Sequence, residues 1–177
     1  MNMPRRMSNP HRANVQAPIM FPHTITLYNI TSEIDPDTAA DTVTNYITLL
    51  KGVLVDDSKA VNVRESGLVG ADAVNLYIPF DVEATDPFTG VGKKFLPPIE
   101  FWRSDEMDRH WTLAISAKGA PLNGYTFFIK GAALPPDGVR PDMVREVVEA
   151  MYDDVYNITK IDTKDFGGLR HWEVGAD

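Results

Sequence analysis

Short runs of alternating apolar and polar residues recur along this chain, and they constrain its fold more than any other feature. Residues 23–30 set Ile25, Leu27 and Asn29 on one face and Thr24, Thr26, Tyr28 and Ile30 on the other, the period-two pattern of a pleated strand. At the far end, residues 155–161 lead through Asp165, Phe166, Gly167 and Gly168 into residues 169–174, which reads as a closing hairpin. Between them lie a run over 43–55 with Gly52 placed for a bulge, and a run over 73–80 with Val74, Leu76 and Ile78 facing one way. Pro79 is expected to end pairing there or to mark a sheet edge. Pro97 and Pro98 bar a central strand, so extended chain is expected to become a strand only over 99–102. Residues 111–115 and 125–129 complete a meander around a loop at 119–124.

One helix is predicted. Pro141 suits an early helical position, and Met143, Val144, Val147, Val148 and Met151 fall on one face. The stretch 31–42, acidic with Asp35-Pro36-Asp37, and the stretch 81–94, with acids, Pro87, Gly90 and Gly92, are read as loops, with a charged turn at 104–109. With 177 residues the chain holds one domain with a full core. The expected fold is mainly β, a small β-barrel or open β-sandwich with one packed α-helix and an extended N-terminal arm. Its boundaries are 1–22 for the arm and 23–177 for the β-rich domain.

The arm follows from proline and charge. Residues 1–22 contain Pro4, Pro10, Pro18 and Pro22, and show neither strand nor helix periodicity. They also hold Arg5, Arg6 and Arg12 and no acid, so of the net charge of -8 the arm carries +3 and the rest -11. A basic leader before an acidic body can be a solvated tail, or it can reach an acidic neighbour, including another copy of the same body. The body's charge opposes nucleic-acid binding, because strong binders use about six to ten phosphate contacts and three arginines supply at most a non-specific one.

Catalytic and metal chemistry find little support. The chain has no cysteine, which removes disulfides, thiol nucleophiles and thiolate metal sites. His11, His23, His110 and His171 lack metal-ligand spacing, and neither a nucleophile elbow nor a phosphate-binding glycine loop occurs. Acids cluster in expected turns, where solvation explains them; Asp81, Glu83 and Asp86 lack the glycine and terminal glutamate of a calcium loop. No catalytic residue, cofactor or metal is therefore assigned. No apolar run approaches the roughly 20 residues of a membrane helix, and no signal-peptide segment follows the first residues, so no membrane association and synthesis in a cytoplasm are expected. Most aromatics are expected in the core. Trp102, Trp111 and Trp172, with His171, remain candidates for an interface, and exposed tryptophans would also suit a sugar-stacking platform.

Four segments carry a family resemblance: residues 23–29 (HTITLYN), 49–54 (LLKGVL), 73–79 (AVNLYIP) and 165–174 (DFGGLRHWEV). Together they resemble the minor capsid and head-completion proteins of tailed phages and prophages. The resemblance implies a non-enzymatic β-barrel subunit of a virion neck ring, assembled in the host cytoplasm, that joins portal or adaptor to tail proteins and helps retain DNA. It further implies that long loops line the channel, which makes Asp81, Glu83, Asp86, Lys93 and Lys94 channel-loop candidates, and that Arg5, Arg6 and Arg12 lace neighbours. A tail terminator or tail-tube adaptor is the nearest alternative. From another class, a carbohydrate-binding β-module stays open.

Overall fold

The computed structural model describes residues 20–34, 36–39, 41–57, 63–64, 67–68, 74–115, 125–134 and 144–177. The elements in chain order are β1 (His23–Ile34), β2 (Asp41–Asp56), β3 (Val63–Arg64), β4 (Gly67–Leu68), β5 (Val74–Pro79), β6 (Glu83–Thr85) and β7 (Lys94–Phe95). They continue with α1 (Pro98–Trp102), β8 (His110–Trp111), β9 (Tyr125–Lys130), α2 (Val144–Met151), β10 (Val155–Lys164) and β11 (His171–Ala176). Six strands form a closed barrel in the order β1-β9-β10-β11-β5-β2, with β2 returning to β1. Closure removes the open edges that an unfinished sheet would present.

The barrel bends where β2 changes phase. His23 pairs with Val53 but Thr24 with Lys51, which leaves Gly52 as the extra residue of a bulge, at φ +85. Before it Thr48 and Leu50 face inward, and after it Val53 and Val55 do. The opposing strand breaks at the same level. β5 and β6 both run antiparallel along β2, pairing Tyr77 with Leu54 and Glu83 with Lys51, so they are one strand interrupted by residues 80–82. The expected bulge at Gly52 is thus present, and Pro79 ends β5 against His171.

Inside the barrel, Ile25, Leu27, Leu76 and Ile78, which alternation set on common faces, form a core with Leu50, Phe128, Ile158 and Val174. Outside, β1 and β9 are covered a second time. Val148 of α2 packs with Tyr28, Ile30, Ile47, Phe127 and Ile129, and Tyr28 stacks on Phe127 at 4.6 Å between centroids. The Tyr28 hydroxyl donates to the Ala133 carbonyl, and burial with a lesser contribution from Tyr152 pushes its phenol well up from the ordinary value. Met151, expected on the apolar face of this helix, is exposed.

Several expectations are corrected. Among the described residues there are two short α-helices, since 98–102 is α1 and not a strand. Pro98 occupies the first turn, where its missing N–H is no loss, and the Phe101 N–H donates to the Pro97 carbonyl at 2.9 Å. Most of 31–42 is not a loop. Thr31 pairs with Thr44 and Ile34 with Asp41, because the β1–β2 ribbon continues past the end of β9. The stretch 81–94 contains β6 and the start of β7. Residues 112–115 are buried or half-exposed chain without strand pairing, where a strand was expected; Thr112 is matched by the Asn29 side chain in place of a neighbouring backbone. Residues 1–19 of the arm, with Arg5, Arg6 and Arg12, together with Pro141 and Met143 and the loop at 119–124, lie outside the described residues.

Candidate functional site

Two surface features gather the polar and apolar groups that the core does not use. The first is a groove of about 560 Å³ between the turn after β6 and the segment before β8. One wall carries Asp86, Thr89, Val91, Gly92 and Lys94; the other carries Glu106, Asp108, Arg109 and His110. These stretches meet because β7 and β8 pair in parallel, Lys94 with His110 and Phe95 with Trp111.

The first wall is built on one carboxylate. Asp86 Oδ1 accepts the Phe88 and Thr89 N–H groups at 2.9 and 2.8 Å and the Thr89 hydroxyl at 3.1 Å, so the turn closes on its own side chain. Beside it, Lys93 runs inward with its side chain only 2% exposed. Its Nζ donates to the Ile47 carbonyl at 2.9 Å and lies 3.7 Å from Asp86 Oδ2. The β2–β6 register, Leu49 with Thr85, would set Pro87 opposite Ile47 if continued, and proline has no N–H to give. The lysine supplies the donor that the ladder lacks there. Burial pushes the Lys93 ammonium below the usual lysine range, with Asp86 and Asp108 opposing in part. Burial also works against ionised Asp86, but the Thr89 and Phe88 hydrogen bonds and Lys93 outweigh it and hold the carboxyl below the usual carboxylate range.

On the second wall Arg109 pairs with Glu106 at 3.4 Å, and His110 Nδ1 lies 2.8 Å from the Glu106 carbonyl oxygen. The groove therefore offers mixed charge held in place by neighbours. Its one lining hydroxyl, on Thr89, is committed to Asp86, so no activated nucleophile stands among these side chains. No group of three or more His, Asp or Glu side chains suited to a metal ion occurs among the described residues.

The second feature is the tip joining β10 to β11. Phe166 and Leu169 project from it, 76% and 44% exposed. Below them Arg170 Nε donates to Asp165 Oδ1 at 2.6 Å, the guanidinium lies 5.1 Å from the Phe80 ring centre, and the Phe80 N–H donates to the Arg170 carbonyl at 3.2 Å. A notch of about 310 Å³ separates Phe80 and Asp81 from Gly168, Leu169 and Arg170.

The residues singled out from sequence are distributed unevenly over these features. Asp86 and Lys94 line the groove, with Lys93 buried behind it. Glu83 is on exposed β6 in an ion pair with Lys51 at 3.1 Å, and Asp81 sits in the notch under the hairpin tip. Trp111 and Trp172 belong to the interior, where Phe80, Phe95 and both indoles pack at centroid distances of 4.4 to 5.6 Å. Trp102 is half-buried against Phe101. His171 lies half-buried beside Tyr77, its Nδ1 3.0 Å from the Leu169 carbonyl oxygen. Sequence reasoning did not single out Glu106, Asp108, Arg109, His110 or Phe166 for a site, although it placed the acids of the first group in a charged turn.

Fold and surface together define a class: a small closed β-barrel, filled by its own side chains, with its distinctive groups on loops and a hairpin tip. The chain belongs to DUF6751, a family of unknown function, whose model matches residues 20–177. No curated protein and no solved structure matches it. No helix among the described residues is long and apolar enough to cross a membrane.

Proposed function

We propose that this protein is a non-enzymatic structural subunit of a tailed-phage virion, a neck-ring protein that joins portal to tail and helps retain the packaged DNA. The observation that carries the reading is the hairpin tip. A Phe and a Leu are held out into solvent on a turn braced by an ion pair and a cation–π contact, an arrangement suited to docking against another protein surface. A barrel whose interior is filled by Trp111, Trp172, Leu76 and Phe128 supports the same reading, since it keeps that space for packing. The acidic body suits a passage for DNA, because like charge lets the duplex slide without sticking. The sugar-binding alternative loses ground, as none of the three tryptophans is exposed for stacking.

Native mass spectrometry of the purified full chain, alone and mixed with portal and tail components, tests the proposal. Discrete multimers of one copy number are expected, in solution or on the portal. A chain that stays monomeric with both components present would overturn it.

A further inference from the structure

We propose that the barrel binds an internal water between β1, β2 and the chain after β8, where it bridges the hydroxyls of Thr48 and Thr112. Both threonines are fully buried, and neither hydroxyl has a hydrogen-bond partner among the described residues. Elsewhere the barrel matches such a group. Thr26, equally buried, donates to the Gly131 carbonyl at 2.7 Å and accepts the Ala133 N–H at 2.9 Å. A hydroxyl shut away from solvent without a partner costs more than one hydrogen bond contributes, so two in the same place call for something that serves both.

The register brings them to the same place. Thr48 is opposite Leu27 on the inward face, and Asn29 stands two residues further along that face of β1. Thr48 and Asn29 are therefore diagonal neighbours, about 7 to 8 Å apart at Cα. Asn29 in turn holds Thr112 from both sides, its amide donating to the Thr112 carbonyl at 2.9 Å and its Oδ1 accepting the Thr112 N–H at 3.2 Å. The two hydroxyls are not bonded to each other, so a third group must stand between them. Water fits the chemistry of these atoms. Each hydroxyl can donate or accept, and Asn29 Oδ1 keeps a second lone pair, which supplies the two to four partners that a buried water uses. Thr126, whose hydroxyl takes the Asn29 amide at 3.0 Å, completes a layer with no charge to balance an ion. Thr112 directly follows β8, so the water would also tie the strand carrying His110, and with it the second wall of the groove, to β1 and β2.

A crystal structure of the wild-type full chain, at a resolution that shows ordered solvent, tests this without any substitution. One water is expected within about 3.2 Å of both Oγ1 atoms. Empty density there, a water reaching only one of them, or the two hydroxyls bonded directly would overturn the proposal. Thr48→Val and Thr112→Val, which exchange the hydroxyl for a methyl, give an independent reading in urea. Each should lower the folding equilibrium constant about fivefold, and the double variant should lose less than the product of the two, because one water serves both. A valine that leaves the midpoint unchanged or raises it would mean that its hydroxyl had no partner to lose, and losses that simply multiply would mean two separate partners; either result defeats the shared water.

Discussion

Asn29 shows how one side chain can replace a strand. It is buried inside the barrel, where its amide donates to the Thr112 carbonyl at 2.9 Å and its oxygen accepts the Thr112 N–H at 3.2 Å. Asn29→Ala would strand both backbone groups out of reach of water, and each orphan costs about 1 to 3 kcal/mol, so a loss of about 3 kcal/mol is expected. Urea unfolding should show the midpoint falling with the slope unchanged. The face of Asn29 was legible from its alternation with Ile25 and Leu27; its partner, 83 residues away, was not. Asp86 and Lys93 titrate in ways that can also be checked. The Asp86 carboxyl is depressed in the folded chain, so its contribution is complete above the ordinary carboxylate pKa of about 4 and is lost as pH falls through the lowered folded value. Thermal midpoints of the wild type and Asp86→Asn should differ at neutral pH and converge in acid; a gap independent of pH would remove the charge from the explanation. Lys93 has the opposite ordinary charge but a depressed pKa too, so the unfolded chain binds more protons just below the usual lysine range, and this group makes stability rise with pH across that window.

At the scale of elements, the legible features were those written locally. Gly52 announced a bulge because glycine alone tolerates positive φ without cost, and the bulge is where β2 switches the residues it turns inward. A Cβ at Gly52 would meet nothing within 4 Å, so Gly52→Ala measures the backbone penalty by itself. Denaturation should show a loss of about 1 to 2 kcal/mol, and Gly52→Asn should lose less, since asparagine visits the left-handed region more readily. A neutral alanine variant would mean that the bulge relaxes. The helix α1 was misread because a proline pair excludes a strand and begins a helix equally well; Phe101, buried against Tyr46 at 6.0 Å, decides between them through tertiary contact. The groove was illegible for a related reason. Asp86 and Glu106 looked like two solvated turns, and only the parallel pairing of Lys94 with His110 brings them together.

For the whole molecule, alternation predicted a two-faced sheet but could not decide between barrel and sandwich, because closure depends on β1 pairing with β2 on one side and β9 on the other. Charge distribution, by contrast, is fixed by sequence. An N-terminal segment of +3 preceding a body of -11 should act between molecules more than within the barrel, whose first strand begins at His23. Removing residues 1–19 is therefore expected to leave the urea midpoint unchanged within about 0.5 kcal/mol, the ordinary range for surface changes. Assembly should respond differently. Exposed charges are screened over about 10 Å at 0.1 M salt and about 3 Å at 1 M, so multimers of the full chain should weaken as salt rises, while those of the truncated chain start weaker and change less. Sedimentation velocity of both chains across that salt range reads the two slopes. Equal slopes with equal association would mean that Arg5, Arg6 and Arg12 are solvated bystanders and that contacts of the barrel, the hairpin tip among them, carry assembly alone.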